Sequence, residues 1–114
     1  TSFETSREIL KRVEAGEEAV TSTSVVQEIV DWLEYNRRRS EVKTFLTAIN
    51  SYTSLRKDAP SWEDMVSALD YMEADAVGYV DALTLQLMKK NNIDEIYSND
   101  KDFDRVKWIK RIWE

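Results

Sequence analysis

Residues Asn91–Val106 read NNIDEIYSNDKDFDRV. A short strand-like run, Ile93 to Ser98, breaks into aspartates at every second position, Asp100, Asp102 and Asp104. Apolar residues return at once with Phe103 and Val106. An aspartate that points inward from such a bend needs a positive or hydrogen-bonding partner, because an unpaired buried carboxylate is too costly to keep. Phe103 is expected to point into the core. If the three acids only decorate a surface turn the stretch says little; one that points inward would mark a site.

Working outward, the chain has 114 residues, enough for one domain, and the reading is a single domain over 1–114. Hydrophobic residues are 42% and charged residues 33%, a balance expected of a globular chain rather than a disordered one. There is no cysteine and no histidine, which excludes disulfides, thiolate or imidazole metal ligands and the commonest general base. A metal would have to be held by oxygen atoms, which favours Mg2+, Mn2+ or Ca2+. The net charge of −6 argues against gripping nucleic acid by bulk charge, and leaves only local basic patches for that purpose. No apolar run approaches the roughly 18 residues that cross a bilayer, so the reading is a soluble, cytoplasmic protein with no membrane partner.

Helix signals dominate the rest. Thr5-Ser6-Arg7-Glu8 fits a capping box ahead of Ile9, Leu10 and Val13, with Gly16 as the stop. Ala19-Val20-Thr21 reads as a brief buried strand. Ser22 or Ser24 then caps a helix carrying Val25, Val26, Ile29, Val30 and Leu33 at helical spacing. Ser40 opens another helix with Val42, Phe45, Leu46 and Ile49 on one face, and a weak strand is expected through Tyr52 and Leu55. Ser61-Trp62-Glu63-Asp64 repeats the capping-box pattern before Met65, Ala68, Leu69 and Met72. Tyr79 to Met88 reads as a helix with Val80, Leu83 and Leu87 inward, and a last short strand is expected between Val106 and Ile112. Helices alternating with short apolar strands predict an α/β fold, a parallel β-sheet flanked by helices.

In such sheets ligands gather beyond the carboxyl ends of the strands. Acids occupy suitable places: Asp100 after the Ile96-Tyr97 strand, Asp81 in the first turn of a helix, and Glu28 one turn into the helix after the first strand. Taken singly, each is more often a solvated helix or turn residue, and spacing alone makes only a weak case for a metal site.

The whole stretch from Gly78 to Ile112, an aspartate opening an apolar helix, a turn, a strand and then Ser-x-Asp-x-x-Phe, resembles the carboxyl half of PIN-domain proteins. That family includes the VapC-like toxin ribonucleases of toxin–antitoxin pairs. Ala19 to Leu33 is similar to the family's second strand and the helix that carries its glutamate. The resemblance implies a PIN-like (5′-nuclease-like) fold and a metal-dependent endoribonuclease that hydrolyses RNA phosphodiester bonds with Mg2+ or Mn2+. By the same resemblance, Glu28, Asp81 and Asp100 would be both metal ligands and catalytic residues, and Ser98 would orient the acid or a bound water. Asp104 would stand one shell behind them. An antitoxin protein and a homodimer are the partners that it implies. The family's first strand and its aspartate have no counterpart here, so the expectation is an amino-terminally truncated copy. The alternative is a non-catalytic degenerate PIN-like module that binds protein or RNA. A Ca2+- or Mg2+-binding regulatory domain fits less well, because no continuous loop of spaced oxygen ligands appears.

Two further expectations concern surfaces. Lys89, Lys90, Lys107, Lys110 and Arg111 are read as a basic rim, with Arg37-Arg38-Arg39 a basic helix end. The four tryptophans are read mainly as core or interface residues, with Trp113 the best candidate for an exposed contact.

Overall fold

The structure, a computed structural model, describes residues 2–113, without side-chain detail for residues 2–4, 6 and 7. The chain divides into two compact units, residues 10–59 and residues 60–113 with 2–9. Each is a set of helices beside its own two-stranded parallel ladder.

Helix α1 (Ser2–Glu14) is already running at Ser2, so Thr5 lies inside the helix and is not its cap. A cap requires extended backbone, which a residue in the helix interior does not have. The stop at Gly16 is as expected. Gly16 takes φ 116°, its amide reaches the Val13 carbonyl at 3.0 Å, and the Glu17 amide reaches Arg12 at 2.9 Å. This paired closure satisfies carbonyls the last turn would leave bare.

In the 10–59 unit, β1 (Ala19–Ser22) pairs in parallel with β2 (Leu55–Asp58), in register from Ala19↔Leu55 to Ser22↔Asp58. Helices α2 (Thr23–Tyr35) and α3 (Glu41–Ser51) make the crossover that a parallel pair demands. Ser22 is the cap of α2: extended, buried, and accepting from the Ser24 amide at 3.0 Å. The second strand starts three residues later than the Tyr52 expected from sequence, because Tyr52 still closes α3 by donating its amide to Ile49 at 3.2 Å. The Ser54 hydroxyl donates to the Val13 carbonyl, tying the end of α1 to the entry of β2.

In the 60–113 unit, α4 (Trp62–Asp75) begins with the expected capping box, Ser61 and Asp64 bonding each other's backbone amides at 3.1 and 2.9 Å. Helix α5 (Tyr79–Lys90) follows after Gly78 and ends at Asn92, whose left-handed backbone (φ 56°) an Asn tolerates well. Then come β3 (Glu95–Tyr97), a 3-10 turn (Lys101–Arg105) and β4 (Lys110–Ile112), parallel to β3. Ala68, Val77, Ala82, Leu83, Leu85, Met88, Phe103 and Val106 form one buried cluster. Phe103 is thus inward, as expected. Leu69 is 52% exposed, since the core-facing stripe of α4 runs through Met65, Ala68 and Met72.

Candidate active site

In α/β folds ligand-binding groups gather beyond the carboxyl ends of the strands. Asp81 is half-buried in the first turn of α5, where the positive end of the helix favours a carboxylate. Asp100, exposed, follows the carboxyl end of β3.

The geometry of the aspartate string answers the question its spacing raised. Asp100 caps the 3-10 turn, its Oδ1 accepting from the Asp102 amide at 2.9 Å. The Ser98 hydroxyl accepts from the Asp100 amide at 3.1 Å, so Ser98 holds the backbone under the acid. Asp102 pairs with Arg105 at 3.1 Å. Asp104 takes both arms of Arg111, at 2.8 and 3.2 Å, while the third guanidinium nitrogen donates to the Ser98 carbonyl at 3.3 Å. Those bonds to Arg111 hold the Asp104 carboxyl below its ordinary range and push the Arg111 guanidinium up. Arg111 on β4 thus grips the loop bearing Ser98 and Asp100. Sequence reading placed Arg111 in a basic rim and missed this grip; the one available signal is its single turn-and-strand separation from Asp104.

The rim itself is largely consumed by internal pairing. Lys90 bonds buried Asp64 at 3.2 Å, and Lys89 stands 4.7 Å from the Trp108 ring centre. Lys107 and Lys110 remain exposed. Asp64 collects the Ser61 amide, Gln86 and Lys90, and its pKa falls to about 2, the Ser61 amide being the largest cause. Trp113 is half-buried, while Trp62 at 75% and Trp32 at 53% are the exposed tryptophans, on helix surfaces turned away from the cores.

Glu28 lies in the second turn of α2, in the 10–59 unit, with its side chain exposed. Among the described residues no three acids form a group able to hold a metal ion. The oxygen-ligand set implied by the family resemblance for a divalent cation is therefore not assembled in this structure. Among the described residues no helix is long and apolar enough to cross a membrane.

A fold with parallel strands, interleaved helices and acids at the start of α5 and the end of β3 belongs to a recognisable class. The PIN domain family model matches residues 2–109, and the chain belongs to the PIN domain family. Its fold is also that of a solved structure, the VapC20 toxin of Mycobacterium tuberculosis, a Sarcin-Ricin loop cleaving toxin. The two superpose with a TM-score of 0.73 at 21% identity, over 91% of this chain and 82% of the toxin. Among curated protein sequences no significant match is found.

Proposed function

We propose that this chain is a cytoplasmic ribonuclease of the PIN type, hydrolysing RNA phosphodiester bonds with Asp81 and Asp100 as its acids and Glu28 as a third. The observation that carries the reading is topological. Asp81 opens α5 and Asp100 follows β3, both in the 60–113 unit, which is the order of acids that the reading needs. The membership in a nuclease-rich family and the likeness to an RNA-cleaving toxin support RNA as the substrate class. On this reading the Ser98 hydroxyl, accepting from the Asp100 amide, and Arg111, donating to the Ser98 carbonyl, hold the backbone that carries Asp100, and exposed Lys101, Lys107 and Lys110 offset its repulsion of the phosphate chain. A protein antitoxin and a second copy of the chain are the partners that go with it.

The test is cleavage of a structured ribosomal RNA fragment with Mg2+ or Mn2+ and with a chelator in their place. Cleavage that needs the cation and disappears in both Asp81→Asn and Asp100→Asn is the expected result. Cation-dependent cleavage unaltered by either change would remove these acids from the site. A second reading, a PIN module that binds RNA without cutting it, is favoured by one observation: no three acids gather among the described residues. RNA retained at equal affinity by wild type and Asp81→Asn, with no product in either, would establish that reading instead.

A further inference from the structure

Helix α4 has two apolar faces, and the fold uses only one. Met65, Ala68 and Met72 face the core. On the other side Trp62, Val66 and Leu69 are 75%, 50% and 52% exposed. Their spacing, i, i+4 and i+7, stacks them as one stripe over successive turns. Single exposed apolar residues are ordinary, but an aligned stripe led by a tryptophan marks a contact surface. Glu73 continues the stripe and Glu63 and Asp70 border it, all three exposed. The helix holds Glu63, Asp64, Asp70, Glu73 and Asp75 and no Lys or Arg. Among the described residues, Glu63, Asp70 and Glu73 have no ion-pair partner.

We propose that this face of α4 docks a cationic amphipathic helix from another protein. Apolar side chains of that helix would cover Trp62, Val66 and Leu69, and its Lys or Arg residues would meet Glu63, Asp70 and Glu73. The charge pattern selects this occupant. A second copy of the chain would set the same acids against each other, and an RNA backbone would be repelled by all of them. The proposal uses neither Asp81 nor Asp100, so it stands whether or not the chain cleaves RNA.

The experiment uses the full chain and two synthetic amphipathic peptides with one leucine pattern, one with lysine on its polar face and one with glutamate. Fluorescence anisotropy of the labelled peptides reads binding, and circular dichroism checks that each variant is folded. The lysine peptide is expected to bind and the glutamate peptide to fail. Trp62→Ser/Val66→Ser/Leu69→Ser should weaken the lysine peptide about tenfold or more, since a buried Trp anchor dominates such contacts. Glu63→Gln/Asp70→Gln/Glu73→Gln should weaken it about fivefold and flatten its salt dependence. The control Glu14→Gln/Glu34→Gln, on exposed acids of the other unit, should leave it unchanged. Equal binding by wild type and the triple serine variant, or an equal loss in the control, would overturn the proposal. So would a concentration-dependent dimer that Trp62→Ser abolishes, which would make a second copy the occupant.

Discussion

The 60–113 unit and the 10–59 unit are assembled from similar parts, helices beside a short parallel ladder, yet they are held together differently. In the first, α4 and α5 close over a continuous apolar cluster that includes the fully buried Leu83, Leu85 and Val106. In the second, Val13 and Leu33 are the buried apolar residues, while Ile29, Trp32, Tyr35 and Leu46 keep large exposed surfaces. A shallow apolar groove runs between α2 and α3, lined by Ile29, Trp32, Leu33, Thr44 and Phe45. The difference teaches that helical periodicity defines an apolar stripe but not its cover. Stability in one unit rests on side-chain packing, and in the other more on ladder bonds, caps and the Ser54–Val13 tie.

The sharpest way to break this contrast is a pair of cavity mutants. Leu85→Ala should cost about 3 kcal/mol in urea unfolding, because a fully buried leucine loses both transfer energy and its close-packed neighbours. Leu33→Ala should cost about half as much, roughly 1–2 kcal/mol, since its surroundings are less enclosed. Equal losses would erase the distinction.

Next in size is an acid effect confined to the 60–113 unit. Asp64 has a folded pKa of about 2 against an ordinary value of 3.8. A depressed carboxyl stabilises the fold above its unfolded pKa and loses that contribution as pH falls through the folded one. Wild type should therefore lose about 1–2 kcal/mol between pH 5 and pH 2 through this group. Asp64→Asn should lack that component of the pH profile, which denaturant melts at both pH values would show.

A smaller effect separates the two units by helix ending. Arg37 closes α2 with φ 59°, and Asn92 closes α5 with φ 56°. The left-handed region costs an ordinary side chain such as Arg more than it costs Asn, whose short polar group can hydrogen-bond locally. Arg37→Gly should therefore raise stability by up to about 1 kcal/mol, and Asn92→Gly by only a few tenths. A loss on Arg37→Gly would show that its side chain contributes more than its backbone costs.

The smallest effects are expected at exposed ion pairs. Arg111→Met should leave the global midpoint nearly unchanged but speed amide exchange at Asp100 and Asp102, whose loop it grips through the Ser98 carbonyl. Glu41→Gln, which breaks the bidentate contact to Arg38 at 2.5 and 2.7 Å, should alter neither midpoint nor exchange beyond its own turn.

The fold was legible in the sequence wherever local chemistry carries the signal. Ser61 and Asp64 announced a capping box, Gly16 a helix stop, and Phe103 an inward anchor, and all three stand so. Parallel pairing followed from the order of helices and strands. What sequence could not convey depends on tertiary register. Met65, Ala68, Leu69 and Met72 are all apolar at helical spacing; only packing chooses which of two stripes is covered, and it leaves Leu69 outside. Thr5 resembled a cap because Thr and Glu three apart also occur inside helices. For the site, the αβ order showed that Asp81 opens a helix and Asp100 follows a strand, while the grip of Arg111 on Ser98 was not readable, since it depends on how β4 registers against β3.

The ladder spacings carry one kinetic consequence. The β1–β2 contact joins Ala19 to Leu55, whereas β3–β4 joins Glu95 to Lys110 across less than half as much chain. Loop-closure entropy alone favours the shorter connection by about 0.8 kcal/mol, and adjacent α4 and α5 add contacts that need almost no closure. The carboxyl unit should thus nucleate first on refolding. Pulse-labelled exchange would then find the amides of Ile96 and Tyr97 protected before those of Val20 and Thr21.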